Sequence, residues 1–254
     1  MDSDTALIHL ALAGAGIAAG FLNTMAGGGS MLTLPVLMML GLPADLANGT
    51  NRLSIVSQSI SGALGFRRAG KLDDDSIGPV LVPTALGALG GALAAAYVPP
   101  DLLKHVLLGT MLAVAVAMLL FPNAVIAPVD STPRRLWKSP AGLLGLFAAG
   151  VYGGFVQAGV GFVLIAVLGG VLRYDLVSTN ALKLVCTLVF GLVGVGVFAV
   201  AGQVVWLPAA LLAVYTVIGS QLGVRFALHV SQGVIRWIIF VAVAASCAGA
   251  YLKG

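Results

Sequence analysis

The chain has 254 residues, of which 59% are hydrophobic and 9% charged, with a mean hydropathy of +1.07 and a formal net charge of +4. Soluble domains carry about 25% charged residues, so the composition excludes a soluble fold and describes an all-α integral membrane protein. The basic excess is expected to sort into cytoplasmic loops, not to bind nucleic acid.

In chain order, MDSDTA is acidic and lacks the basic region of a signal peptide, so the first helix is expected to direct insertion. Residues 6 to 41 are apolar but broken at FLNTMAGGGSMLTLP, residues 21 to 35. Gly27, Gly28 and Gly29 permit a non-helical break, and Ser30 is positioned to cap the helix that restarts at Met31. Broken backbone at membrane depth survives only inside protein or beside a polar cavity. The restarted helix would offer free N–H groups to an anion.

Three continuous spans follow, at about 47 to 66, 76 to 97 and 102 to 122 by the length a bilayer needs. The first opens on NGTNRLSIVSQSIS, where Asn51, Ser54, Gln58 and Ser61 share a helical face and Arg52 lies beside them. Residues 123–140, with Asp130, Arg134, Arg135 and Lys138, read as a cytoplasmic linker. The stretch 142 to 172 is again glycine-broken at GGFVQAGVGF, where Gln157, Gly159 and Gly161 stand opposite Asn23 and the earlier glycines. Spans at about 177 to 200, 204 to 225 and 232 to 252 complete the chain by the same length rule. The first of these carries STNALKLVCT, with Asn180, Lys183 and Thr187 on one face, continued by Gly191 and Gly194.

The order of these parts is that of a duplication. Gly20-Phe21 answers Gly154-Phe155, Thr50-Asn51 answers Thr179-Asn180, Ala69-Gly70 answers Ala201-Gly202, and the GxxxG pair Gly87 and Gly91 answers Gly219 and Gly223. The expected division is a first repeat at 1–122, the linker at 123–140 and a second repeat at 141–254. If each broken stretch is a re-entrant hairpin, most Arg and Lys residues fall inside and both termini outside, which the positive-inside rule favours over full crossing. Three crossings per repeat then make the repeats inverted, a common construction for secondary transporters. The GxxxG faces could pack within a monomer or between monomers, which leaves a homo-oligomer open.

The acidic residues set the sign of the cargo. There is no glutamate, and all nine aspartates lie in predicted termini, linkers or loops. Proton relays and cation sites in membranes usually use buried carboxylates. Arg52 and Lys183, deep in their spans, are functional candidates, with interfacial snorkelling as the alternative and Asp45 and Asp175 as candidate salt-bridge partners. Cys186 and Cys247 show no metal spacing, and His9, His105 and His229 sit in separate segments, so neither a metal site nor a cofactor is indicated. An anion channel, a non-transporting assembly partner and, least of all, a membrane enzyme are the alternatives to a transporter.

The run GFLNTMAGGGSMLTLPVLMMLGLPADLANGTNRL, with RRAGKLD and the half-length duplication, resembles the TauE/SafE family of sulfite exporters. That resemblance implies export of sulfite, a sulfonate such as sulfoacetate, or a related organosulfur anion across the bacterial inner membrane. The residues expected to hold it are Asn23, Gly27, Gly28, Gly29, Ser30, Thr50, Asn51, Arg52, Gln157, Gly159, Gly161, Thr179, Asn180 and Lys183: the two cations for charge, the amides and hydroxyls for direction, the glycine backbone for N–H donors.

Overall fold

A computed structural model describes residues 3–25, 27–72, 74–120 and 132–229, and their regular structure is helical throughout. The first half runs α1 (Ser3–Met25), α2 (Ser30–Met39), α3 (Ala44–Arg68), α4 (Asp74–Tyr97) and α5 (Pro100–Leu120). After a short 3-10 turn at Leu136–Lys138 come α6 (Pro140–Phe155), α7 (Val160–Ile165) extended in π geometry over Ala166–Val171, α8 (Leu176–Val200) and α9 (Trp206–His229). The expected span at 232 to 252, the first half of the linker, Cys247, Arg236 and Lys253 lie outside the described residues.

The helix starts follow local chemistry in the second half. Ser139 accepts the N–H of Gly142 with Pro140 in the first turn of α6, and Asp175 accepts those of Val177 and Ser178 at 3.0 Å to open α8. The first half differs from expectation at α2. Its cap position is Gly29, no side chain caps it, and Ser30 is already the first helical residue.

Three described helices, Asp74–Tyr97, Leu176–Val200 and Trp206–His229, are long and apolar enough to cross a membrane. At 25 residues α3 has the length but not the composition. Its Asn48, Thr50, Asn51, Arg52, Ser54, Gln58 and Ser59 are all buried, since α8 and α9 pack along it and α2 and α5 cover the rest. In lipid a helix this polar is tolerated only inside a bundle.

Contacts give the direction of each helix. Thr216 and Ser220 of α9 donate to the carbonyls of Ser54 and Gln58, and Gly65 faces Val224, so α3 and α9 run parallel. Gly16 and Gly20 of α1 face Tyr215 and Thr216, and Gly223 faces Phe21 and Thr24, so α1 is parallel to both. By contrast α8 runs against α3: Gly62 meets Leu184, Ser59 bonds Thr187 at 2.8 Å, Gly191 meets Val56 and Gly194 meets Arg52. On the far side α4 and α6 run parallel, with Gly150 on Thr84 and Gly154 on Ala88.

The packing of one half therefore has a counterpart in the other. A Cβ on Gly219 would strike the Ile17 carbonyl of α1, and one on Gly87 the Phe147 carbonyl of α6; Gly20 and Gly154 are as tightly set against α9 and α4. Both GxxxG pairs are spent on contacts inside the chain, where backbone proximity replaces the hydrophobic drive that lipid removes.

Each broken pair is a hairpin. At 10 residues α2 reaches about 15 Å, and Val160–Val171 about 18 Å, each short of the roughly 30 Å hydrocarbon layer. Thr33 of α2 bonds Asn51 at 2.8 Å, so α2 starts near the middle of α3 and returns to the end where α3 begins. In the second half Gly145 faces Val167 and Gly142 faces Leu172, so α7 folds back along α6 to the end where α8 begins. Because α3 and α8 are antiparallel, the two hairpins enter from opposite ends of the bundle.

Candidate functional site

The hairpin tips meet in the interior. A Cβ on Gly27 would overlap the backbone of Gly161, and one on Gly161 would overlap that of Gly27, so only glycine fits either place. Gly27 also has φ +96° and returns its N–H to the Leu22 carbonyl at 3.0 Å, closing α1 where the chain must reverse. Gly28 faces the ring of Phe162, while Gly29 sits against the Ala19 carbonyl and the Asn23 side chain. Gly159, at φ +78°, opens α7 against Met31 and Val114.

The expected backbone donors are largely spoken for. The N–H groups of Met31, Leu32 and Thr33 bond the carbonyls of Gly28 and Gly29, and those of Val160 and Phe162 bond Gln157 and Gly159. Unused capacity lies in side-chain amides instead. Asn23 Nδ2, Asn180 Nδ2 and both amide atoms of Gln157 are buried with no hydrogen-bond partner. Gln157 is also left-handed at φ 67°, which costs a non-glycine residue of order 1–3 kcal/mol and clusters at functional sites. A buried unpaired polar atom costs about 1–3 kcal/mol, so the amides of Asn23 and Gln157 by the hairpin tips and of Asn180 on α8 are the candidates for bonding a polar ligand.

Arg52 and Lys183 flank the tips, and neither snorkels, because both are fully buried. Arg52 Nη1 donates to the Gly153 carbonyl at 2.5 Å, and Nη2 to Gly154 at 2.8 Å, Phe155 at 3.1 Å and Asn48 Oδ1 at 3.2 Å. Its guanidinium lies 5.1 Å from the centre of the Phe198 ring. It thereby caps the C-terminal, negative end of α6. Lys183 does the same for α1, donating to the Thr24 carbonyl at 3.1 Å and to Asn180 Oδ1 at 2.9 Å.

The salt bridges expected with Asp45 and Asp175 are not formed. Asp175 is occupied capping α8, Asp45 Oδ1 is buried without a partner, and Arg67 with Asp74 at 2.8 Å is an exposed pair. Among the described residues no carboxylate bonds either buried cation. Helix-end carbonyls balance them instead, as a half-charge of opposite sign would.

The remaining candidates divide. Asn51 accepts from Thr33 and Ser54 and ties α3 to the first hairpin. Thr50 and Thr179 lie elsewhere: Thr50 accepts the Val205 N–H before α9, and Thr179 donates to the Tyr174 carbonyl before α8. Asn48, unremarked in the sequence, proves central, since it also donates to the Phe155 carbonyl at 3.0 Å. Its place one turn before Arg52 was the available signal.

The Sulfite exporter TauE/SafE family matches residues 12–250 of the chain. The probable membrane transporter protein YfcA of Escherichia coli strain K12 is 28% identical over 225 residues, 88% of this chain and 82% of that protein. A probable membrane transporter protein of Haemophilus influenzae is 26% identical over 226 residues, 89% and 88%. The probable membrane transporter protein ORF9 of a Sinorhizobium species is 34% identical over 233 residues, 88% and 84%. No solved structure matches the chain.

Proposed function

Since this chain belongs to the TauE/SafE sulfite exporter family and is a membrane transporter, not an enzyme, we propose that it exports a small oxyanion, sulfite or an organosulfonate such as sulfoacetate, across the bacterial inner membrane. The observation that carries this reading is the meeting of two opposed hairpin tips between two buried cations, beside unpaired amides and, among the described residues, with no carboxylate bonded to either cation. In this reading the amides of Asn23, Gln157 and Asn180 bond the cargo, the glycines of both breaks let the tips close on it, and Arg52 and Lys183 set the sign of the local field. Asn51, Thr50 and Thr179 hold the helices that present these groups. Alternating access is rocking of one inverted repeat against the other about the tips.

Orientation follows from charge. Arg67, Arg68, Lys71, Arg134, Arg135, Lys138, Arg173 and Arg225 gather at the end where α3 finishes, and Lys104 stands at the other. The positive-inside rule makes the first end cytoplasmic, with the N-terminus outside. An inside-negative potential then drives a monoanion outward by about 2.3 kcal/mol per 100 mV.

The test is efflux from liposomes containing the purified chain, loaded with sulfite or sulfoacetate and held inside-negative by a potassium gradient. Saturable efflux of one of these, above that from empty liposomes, supports the reading. Rates equal to those of empty liposomes for both anions contradict it, and an unsaturable current favours a channel.

A further inference from the structure

Resting on the reading above, in which the Gln157 amide bonds the cargo, we infer that Tyr152 is a positioning residue that braces the second hairpin tip and holds Gln157 in its binding conformation. Gln157 is 2% exposed, both atoms of its amide lack a partner, and its backbone is left-handed at φ 67°. The first tip puts glycine in that region, Gly27 at φ +96°, where no Cβ penalty arises. The second tip holds a full side chain there, which persists only if the surroundings enforce it.

Tyr152 enforces it from both sides. Its carbonyl accepts the N–H of Val156 at 2.8 Å and that of Gln157 at 3.1 Å, where α6 ends. Its hydroxyl reaches past the turn and donates to the Ala158 carbonyl at 2.6 Å. Gln157 thus lies between two bonds to one residue. The Ala158 N–H returns to the Val156 carbonyl at 2.8 Å, and the Gln157 carbonyl accepts the N–H of Val160 at 3.1 Å. Because peptide units are planar, fixing those on either side of Gln157 fixes its backbone angles, and with them the direction in which its side chain leaves.

The phenol ring is itself held. It packs against the apolar cluster that contains Leu146, Val160 and Leu164 and against the one that contains Met31, Val156 and Ala158. A ring supported on two sides delivers its hydroxyl to one place, as a group that orients a binding residue must. The brace uses neither amide atom of Gln157, so both are left for the cargo.

The experiment is a double-mutant cycle of Tyr152→Phe, which keeps the ring, with Gln157→Gly in the purified full chain. Its first readout needs no cargo. Gln157→Gly should raise the unfolding temperature in detergent, and that gain should fall by at least about half in the Tyr152→Phe background, where the turn is free to relax. No gain in the wild-type background, or an equal gain in both, overturns the brace. The second readout is the concentration dependence of efflux from liposomes, measured with sulfite and in parallel with sulfoacetate. Tyr152→Phe should raise the half-saturating concentration roughly tenfold, the worth of one hydrogen bond to a charged group, and should raise it no further once residue 157 is glycine. A hydroxyl that only supported the fold would lower the maximal rate and leave half-saturation alone. Half-saturation unchanged by Tyr152→Phe, or raised equally in both backgrounds, overturns the inference while leaving oxyanion transport standing. If the wild-type chain carries neither anion, the cargo reading beneath it falls, and the unfolding comparison still decides the brace.

Discussion

Arg52 and Lys183 perform one task with unlike chemistry. Each crosses to the opposite hairpin and caps the C-terminal end of its first helix, Arg52 on α6 and Lys183 on α1. Yet they do not stand at matching places in the duplication expected from the sequence: with Thr50-Asn51 aligned on Thr179-Asn180, Arg52 falls opposite Ala181 and Lys183 opposite Ser54. A helix that ends inside a membrane protein leaves carbonyls that must be satisfied. Both halves meet that requirement, with cations at different positions along α3 and α8.

Substitutions can break or sharpen that comparison. The largest effect is expected at Arg52, which bonds three carbonyls of α6. Arg52→Met strips the end of α6 of its cap and should lower stability by about 3 kcal/mol, with Arg52→Lys recovering only part because an ammonium cannot fork over three carbonyls. Tryptophan-monitored unfolding in detergent reads both variants. Next comes the seam between the tips: Gly161→Ala should cost about 2 kcal/mol by overpacking against Gly27, measured as a lower unfolding temperature.

Gln157→Gly should act in the opposite direction. Relieving the left-handed backbone and deleting an unpaired buried amide should raise stability by about 1 kcal/mol, while efflux falls, because the strain serves the site. At Lys183 the outcomes should diverge most sharply. Lys183→Met should shift stability by less than about 1 kcal/mol, since a lost helix cap offsets relief of a buried charge, but should abolish efflux. The smallest effect is expected at the exposed Arg67–Asp74 pair, where Asp74→Asn should change stability by at most about 0.5 kcal/mol.

Much of this was legible from residues alone. Three consecutive glycines in an apolar run demanded a break, and the polar face of α3 demanded burial. The boundaries also came close, the expected spans at 76 to 97 and 177 to 200 being Asp74–Tyr97 and Leu176–Val200. What escaped the sequence was everything settled by backbone groups from distant segments. Asp45 and Asp175 were natural partners for the cations by charge and proximity, but the acceptors are carbonyls at Gly153, Gly154, Phe155 and Thr24, about 100 or more residues away in the chain. No pattern of side chains announces a carbonyl. Ser30 likewise carried a capping signature, but the chain turns so tightly against Ala19 that glycine holds the cap position. Thr50 and Thr179 had the residue type for a ligand site, and their hydroxyls went to neighbouring turns.

The site exists only if the two hairpins enter from opposite faces, and cysteine accessibility in intact cells tests that most directly. In a background lacking Cys186 and Cys247, single cysteines at Asp4 and Gly41 bracket the first hairpin, and at Lys138 and Arg173 the second. Asp4→Cys and Gly41→Cys should both react with an impermeant maleimide added outside, and Lys138→Cys and Arg173→Cys only after the membrane is opened. If the two members of either pair label from opposite faces, that hairpin crosses the membrane, and the meeting of the tips cannot be the site.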